Sequence, residues 1–141
     1  MTDFEDCLKR RGLIRFTAAG PDVVVNELRA ATEDMADSIA MLEQARWKRA
    51  TITAYYVMFH SARALMLGRW LCGEEPYCLL VGFRELYGQT PEGARLALAI
   101  ERARILREKA DYESDFTEDS ARSSSGLAEE FVDFATRELS L

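Results

Sequence analysis

The only histidine of the chain, His60, lies in the stretch YYVMFHSARAL (55–65), three residues before Arg63. Imidazole moves protons near neutral pH, and guanidinium groups hold carboxylate or phosphate oxygens. As a general base, His60 needs a phosphate-binding group nearby, and Arg63 or Arg49 has the chemistry for it. The competing role is structural, with His60 hydrogen-bonded at the edge of a core. On a helical wheel of about 100° per residue, Tyr55, Met58, Phe59, Ala62, Leu65 and Met66 share one face. Arg49, Thr53, Tyr56, His60 and Arg63 fall together alongside it. The histidine therefore belongs to a polar seam at the border of an apolar stripe.

Buried guanidinium groups are costly unless paired. The best candidate acceptor is Asp111 in REKADY, one helical turn after Arg107. The expected arrangement is one network of Tyr56, His60, Arg63, Arg107, Asp111 and Tyr112. Ala50, Ala54, Ser61 and Gly68 form a separate strip of small residues, suited to close approach of another helix within the chain or across a dimer.

Other chemistries find little support. One histidine and no CxxC pair argue against zinc. The phosphate-loop and dinucleotide fingerprints are missing, and the lone histidine has no evident triad. No cofactor or metal is expected. Cys7, Cys72 and Cys78 do not make an even disulfide framework, so the expectation is reduced and mostly buried thiols.

These residues must be positioned by helices. Of 141 residues, 48% are hydrophobic and 30% charged, which suits one domain with a real core. The expected layout is a short N-terminal helix and connector over 1–18 and a helical bundle over 21–140. A first helix spans about 3–11 and breaks at Gly12. Gly20-Pro21-Asp22 opens a second, running to about 43 with apolar steps at Val24, Leu28, Ala31, Met35, Ile39 and Leu42. The run Val23 to Val25 is β-branched but sits within that helical pattern. A third helix runs over 47–71, a fourth over 77–87, and Thr90-Pro91 opens a fifth to about 110. DYESDF (111–116) reads as a loop, and Thr117 caps a last helix over 118–139. The serines and glycine at 123–126 are poor helix formers, so that helix must lean on Leu127, Phe131 and Phe134. Long helices with short connections give an all-α fold, an antiparallel four-helix bundle with additional short helices.

The net charge of −6 is unevenly spread. Residues 44–73 contain no acid and five bases, Arg46, Lys48, Arg49, Arg63 and Arg69, whereas 111–141 carry nine acids against Arg122 and Arg137. The basic stretch has two possible faces, one toward RNA and one toward the acidic last helix or an acidic partner. Arg102, Arg104 and Lys109 extend the patch. Net acidity disfavours non-specific duplex DNA binding. No window approaches a membrane span, and the first residues have acids where a secretory leader has bases, so the expected location is cytoplasmic.

YYVMFHSARAL, PYCLLVGFRELYG, REKADY and a final AEEFVDFA helix, with EDCLKRRGLIRF and NELRAATEDMADS before them, resemble in order and spacing the small stand-alone prokaryotic HEPN proteins. The resemblance covers nearly the whole chain. It implies a four-helix bundle, commonly a homodimer, and in many members a metal-independent ribonuclease. The mark of that activity is an arginine followed after four to six residues by a histidine. No arginine stands at the matching distance before His60, where the chain has Thr53, Ala54 and Tyr55. In relatives a histidine often precedes the tyrosine-cysteine-leucine; here CGEEP (72–76) places Pro76 there, which transfers no proton. Some family toxins are silenced by adenylylation of a tyrosine just before the motif histidine, but no tyrosine-x-histidine occurs here, and Tyr55, Tyr56, Tyr87 and Tyr112 read as packing residues. The resemblance thus implies a non-catalytic interaction module of a toxin–antitoxin or defence-like pair, with a nucleotidyltransferase-type partner and a nucleotide or RNA as ligand. The alternative is a ribonuclease with a variant site of His60, Arg63 and Arg49.

Overall fold

The structure is a computed structural model that describes residues 2–15, 21–73, 75–108 and 116–140. The fold is all-α, with six helices and one pair of three-residue strands among the described residues: α1 (Asp3–Lys9), β1 (Leu13–Arg15), α2 (Pro21–Glu43), α3 (Trp47–Leu67), β2 (Leu71–Gly73), α4 (Pro76–Tyr87), α5 (Pro91–Glu108) and α6 (Glu118–Leu139).

Local chemistry sets most of these boundaries. The Thr2 hydroxyl accepts from the Glu5 amide at 3.1 Å, and the Thr117 hydroxyl accepts from the Ser120 amide at 3.1 Å. Each satisfies an amide that the first helical turn leaves without a partner. Thr90 does the same for α5 through the Gly93 amide. Pro76 takes the first position of α4, where its missing N–H costs nothing. The β-branched run Val23 to Val25 is helical, as its surrounding periodicity requires.

α3 is the central helix, packed chiefly on α2 and α6 and less extensively on α4 and α5. The turn after α2 passes through Ala45 in the left-handed region (φ 57°), which reverses the chain. Contacts fix the helix directions. Ser38 donates to the Ala50 carbonyl at 3.0 Å and shares a hydrogen bond with the Ser125 hydroxyl at 3.3 Å, so α2, α3 and α6 meet at one level. Gly68 lies against Leu139, so α3 and α6 run the same way. Arg137 pairs with Glu92 and Arg95 with Glu130, so α5 runs opposite to α6.

The strip of small residues is thereby explained. Ala50, Ala54 and Ser61 are fully buried, and the strip serves helix crossings inside the chain. Ser125, in the poor helix-forming stretch, is the serine that α6 contributes to the three-helix node. The core centres on Phe83, Phe131, Met58, Leu65, Met66, Leu79 and Leu96.

Two elements depart from expectation. α3 stops at Leu67 rather than at 71, because the chain turns through Trp70 (φ 67°) into β2. β2 pairs antiparallel with β1, Leu13 facing Gly73 and Arg15 facing Leu71. Strands of three residues carry too little alternation to announce themselves in sequence.

The cysteines correct a second expectation. Cys7 and Cys78 are both fully buried and form a disulfide, with Cα atoms 5.6 Å apart. Cys72 lies on β2, half-buried, outside that bond. The pairing arises because β1–β2 pairing carries α1 onto the start of α4. Arg10 reinforces the join, donating to Glu75 at 3.0 Å and to the Cys78 sulfur at 3.3 Å.

Candidate functional site

His60 stands on α3 facing α2. Its Nδ1 hydrogen-bonds to Glu27 Oε2 at 2.8 Å, and its Nε2 faces Asp34 Oδ2 at 3.7 Å. Arg63 Nε pairs with the other Glu27 oxygen at 3.4 Å. Among the described residues the acceptors of the seam are therefore Glu27 and Asp34, on the neighbouring helix. Asp111 and Tyr112, which sequence reasoning placed in the network, lie outside the described residues. Glu27 and Asp34 are seven residues apart, hence on one face of α2, and they flank the stripe of Leu28, Ala31 and Met35. That spacing was the signal available for them. The rotational register of α2 against α3, which brings them to His60, is a tertiary fact.

Tyr56 and Arg107 form a second cluster. Arg107 Nε donates to the Tyr56 hydroxyl at 3.0 Å, and its guanidinium lies over that ring, 5.4 Å from the centroid. Among the described residues no hydrogen bond or ion pair joins this cluster to His60. What connects them is ring packing along α3: Tyr56 on Tyr55, Tyr55 on Phe59, and Phe59 on His60, with centroids 5.4, 6.1 and 6.0 Å apart. Burial pushes the Tyr55 phenol up from its ordinary range, so it stays neutral within this stack.

Burial also raises the Asp34 carboxyl, against the attraction of His60; Asp37 and Glu33 raise it further. In the folded state Asp34 holds its proton more readily than in the unfolded chain. Stability associated with Asp34 is then fullest in acid and is lost as pH rises through its raised folded-state pKa. Asp34→Asn is expected to gain slightly on the parent as pH increases from about 3 to about 6, by less than about 1 kcal/mol for this one-third-exposed side chain. Thermal unfolding of both proteins across that range measures it. A difference independent of pH contradicts it.

The cations gather elsewhere. At the α2–α3 turn, Arg46, Lys48 and Arg49 surround an open pocket of about 790 Å³. Met41, Ile52 and Thr53 line its sides, with the aromatics Trp47, Tyr56 and Phe116. Neither α3's first turn nor its N-cap Arg46 provides an acidic group or a side-chain cap. The pocket thus combines positive charge with aromatic faces. Arg122 lies over Trp47 at 5.7 Å. Arg49 reaches this pocket, but His60 and Arg63 do not line it; three helical turns, about 16 Å, separate Arg49 from His60.

A smaller hollow of about 310 Å³ lies on the other side of Tyr56, lined by Tyr55, Phe59, Pro76, Arg104, Arg107 and Glu108. Arg104 is paired with Glu108 at 2.9 Å. Arg102 is exposed, and Lys109 lies outside the described residues. The bases of 44–73 make no ion pair with the acids of α6 among the described residues; Arg63 turns to α2 and Arg69 lies over Tyr87, 5.8 Å from its centroid. No described helix is long and apolar enough to cross a membrane, and no group of side chains among the described residues suits a metal ion.

The model of the HEPN domain family matches residues 25–139. The chain belongs to the HEPN family. A search of curated proteins finds no match. The HEPN match begins within α2, so α1 and β1, the segment fastened by the disulfide, precede it. The family's arginine-to-histidine spacing has a second place to look in this HEPN chain. Six residues lie between Arg69 and Pro76, so an arginine stands within the spacing that the resemblance implies, with a proline where the histidine would be. Sequence reading noted Pro76 and missed Arg69. Pro76 lines the smaller hollow, whereas Arg69 lies over Tyr87.

Proposed function

We propose that this HEPN chain is a non-catalytic interaction module that binds a nucleotide or single-stranded RNA in the pocket at the α2–α3 turn. The observation that carries the reading is the separation of parts. Both nitrogens of the only histidine face carboxylates, Glu27 and Asp34, while Arg46, Lys48 and Arg49, which make no ion pair among the described residues, stand around another pocket. A phosphate approaching His60 meets two acids. A nucleotide approaching Arg46, Lys48 and Arg49 meets charge for its phosphates and aromatic faces for its base. The proline at the family's histidine position supports the same reading. From the family resemblance, the chain acts as a homodimer alongside a nucleotidyltransferase-type partner in a toxin–antitoxin or defence-like pair.

One observation favours ribonuclease chemistry at His60, with Arg63 and Arg49 as its clamps. The Glu27–His60 contact has the form of a carboxylate orienting a general base. The other ring nitrogen, which would have to take the proton, faces Asp34, and Glu27 already pairs with Arg63.

The binding test is fluorescence anisotropy with a short labelled single-stranded RNA at low and moderate salt. The parent is expected to bind with a salt-dependent affinity. Arg46→Glu/Arg49→Glu is expected to weaken binding at least about tenfold, as reversal of two phosphate contacts should. His60→Gln is expected to leave it unchanged. Loss of binding in His60→Gln, with the charge reversal harmless, would overturn the assignment of the pocket.

A further inference from the structure

α5 is apolar on opposite sides. Leu96, Ile100 and Ala103 are buried, whereas Leu98 and Ile105 are 45% and 42% exposed. Leu98 and Ile105 are seven residues apart and lie nearly in line along the helix. Beside them a groove of about 390 Å³ separates α5 from α6, lined by Met58, Ala99, Leu106 and Leu127, with Arg95 and Arg102 on the α5 side. The charges around this apolar line are segregated. Relative to its midline, Arg102 and Arg95 lie about 50° and 70° to one side, and Glu101 and Glu108 lie as far to the other. Arg95 and Glu108 have partners within the chain, Glu130 and Arg104. Glu101 and Arg102 make no ion pair or hydrogen bond among the described residues.

We propose that this face pairs with α5 of a second copy, the two helices side by side and parallel about a two-fold axis running along them. The charge pattern selects this arrangement. With a parallel two-fold, the arginine side of each helix faces the glutamate side of the other, so Arg102 meets the partner's Glu101 along both edges of a Leu98 and Ile105 seam. An antiparallel two-fold would set Arg102 against Arg102 and Glu101 against Glu101. The acidic edge of each α5 also comes to lie over the basic rim of the other copy's groove. The proposal rests on the homodimer reading above and names its face.

Light scattering after gel filtration tests both, with circular dichroism confirming that each variant folds. The parent is expected to be a dimer. Glu101→Arg and Arg102→Glu should each weaken association at least tenfold, since each sets like charges across both edges. An equimolar mixture of the two variants should form a heterodimer, because the first variant then presents bases on both edges of its α5 and the second presents acids on both. Both changes in one chain should restore the homodimer. A parent dimer that neither single change weakens overturns the α5 face and leaves the homodimer reading standing. A monomeric parent overturns both. Weakening by the single changes without heterodimer formation on mixing overturns the parallel arrangement.

Discussion

Reduction of the Cys7–Cys78 bond is expected to lower the unfolding free energy by about 4 kcal/mol. The bond closes a loop with a sequence separation of 71, and an unfolded chain so constrained loses conformational freedom in proportion to the logarithm of loop length. The local cost is concentrated in α1. That helix has seven residues, too few to persist alone, and Cys7 is its one buried side chain. Without the bond, Leu13 and the β1–β2 pairing still hold the segment. Urea unfolding with and without a dithiol reductant, beside a Cys78→Ala variant in both conditions, measures the effect. The parent should shift on reduction and the variant should not. Equal midpoints for oxidised and reduced parent would contradict it.

Phe131→Ala is expected to cost about 3–5 kcal/mol, through lost transfer energy and an unfilled cavity. Phe131 is fully buried and its ring lies 5.0 Å from that of Phe83, which also contacts Tyr87 and Phe134. These four rings join α4 to α6. The expected result is a drop of that size in chemical unfolding, with α6 the first region to lose amide protection from hydrogen exchange. Phe131→Leu should lose markedly less, because most of the apolar volume remains. A loss below about 1 kcal/mol for the alanine variant would show that α4 and α6 are held otherwise.

Legibility in the sequence followed the range of the interactions. α2 and α6 could be read to their ends, 21–43 and 118–139, because Pro21, Asp22 and the Thr117 cap act within one turn. The stripe on α3 was equally legible, since Met58, Ala62, Leu65 and Met66 are all buried as the wheel requires. The disulfide was not, because Cys7 and Cys78 meet only after two three-residue strands pair. The acceptors of His60 were missed for a related reason. Glu27 and Asp34 have the right spacing on α2, but whether they reach His60 depends on how α2 is rotated against α3. The pocket was half visible: the bases at 46–49 stood out as an acid-free stretch, whereas Phe116 joins them only through the return of α6.

The claim that this HEPN chain binds without cutting is tested most directly by incubating it with total RNA in the presence of a chelator, beside a folded His60→Ala variant. Both tubes are predicted to hold intact RNA, because the parent's only imidazole faces Glu27 and Asp34 and stands apart from the cations at the α2–α3 turn. Cleavage by the parent and not by the variant would contradict the account and make His60 the base of a ribonuclease.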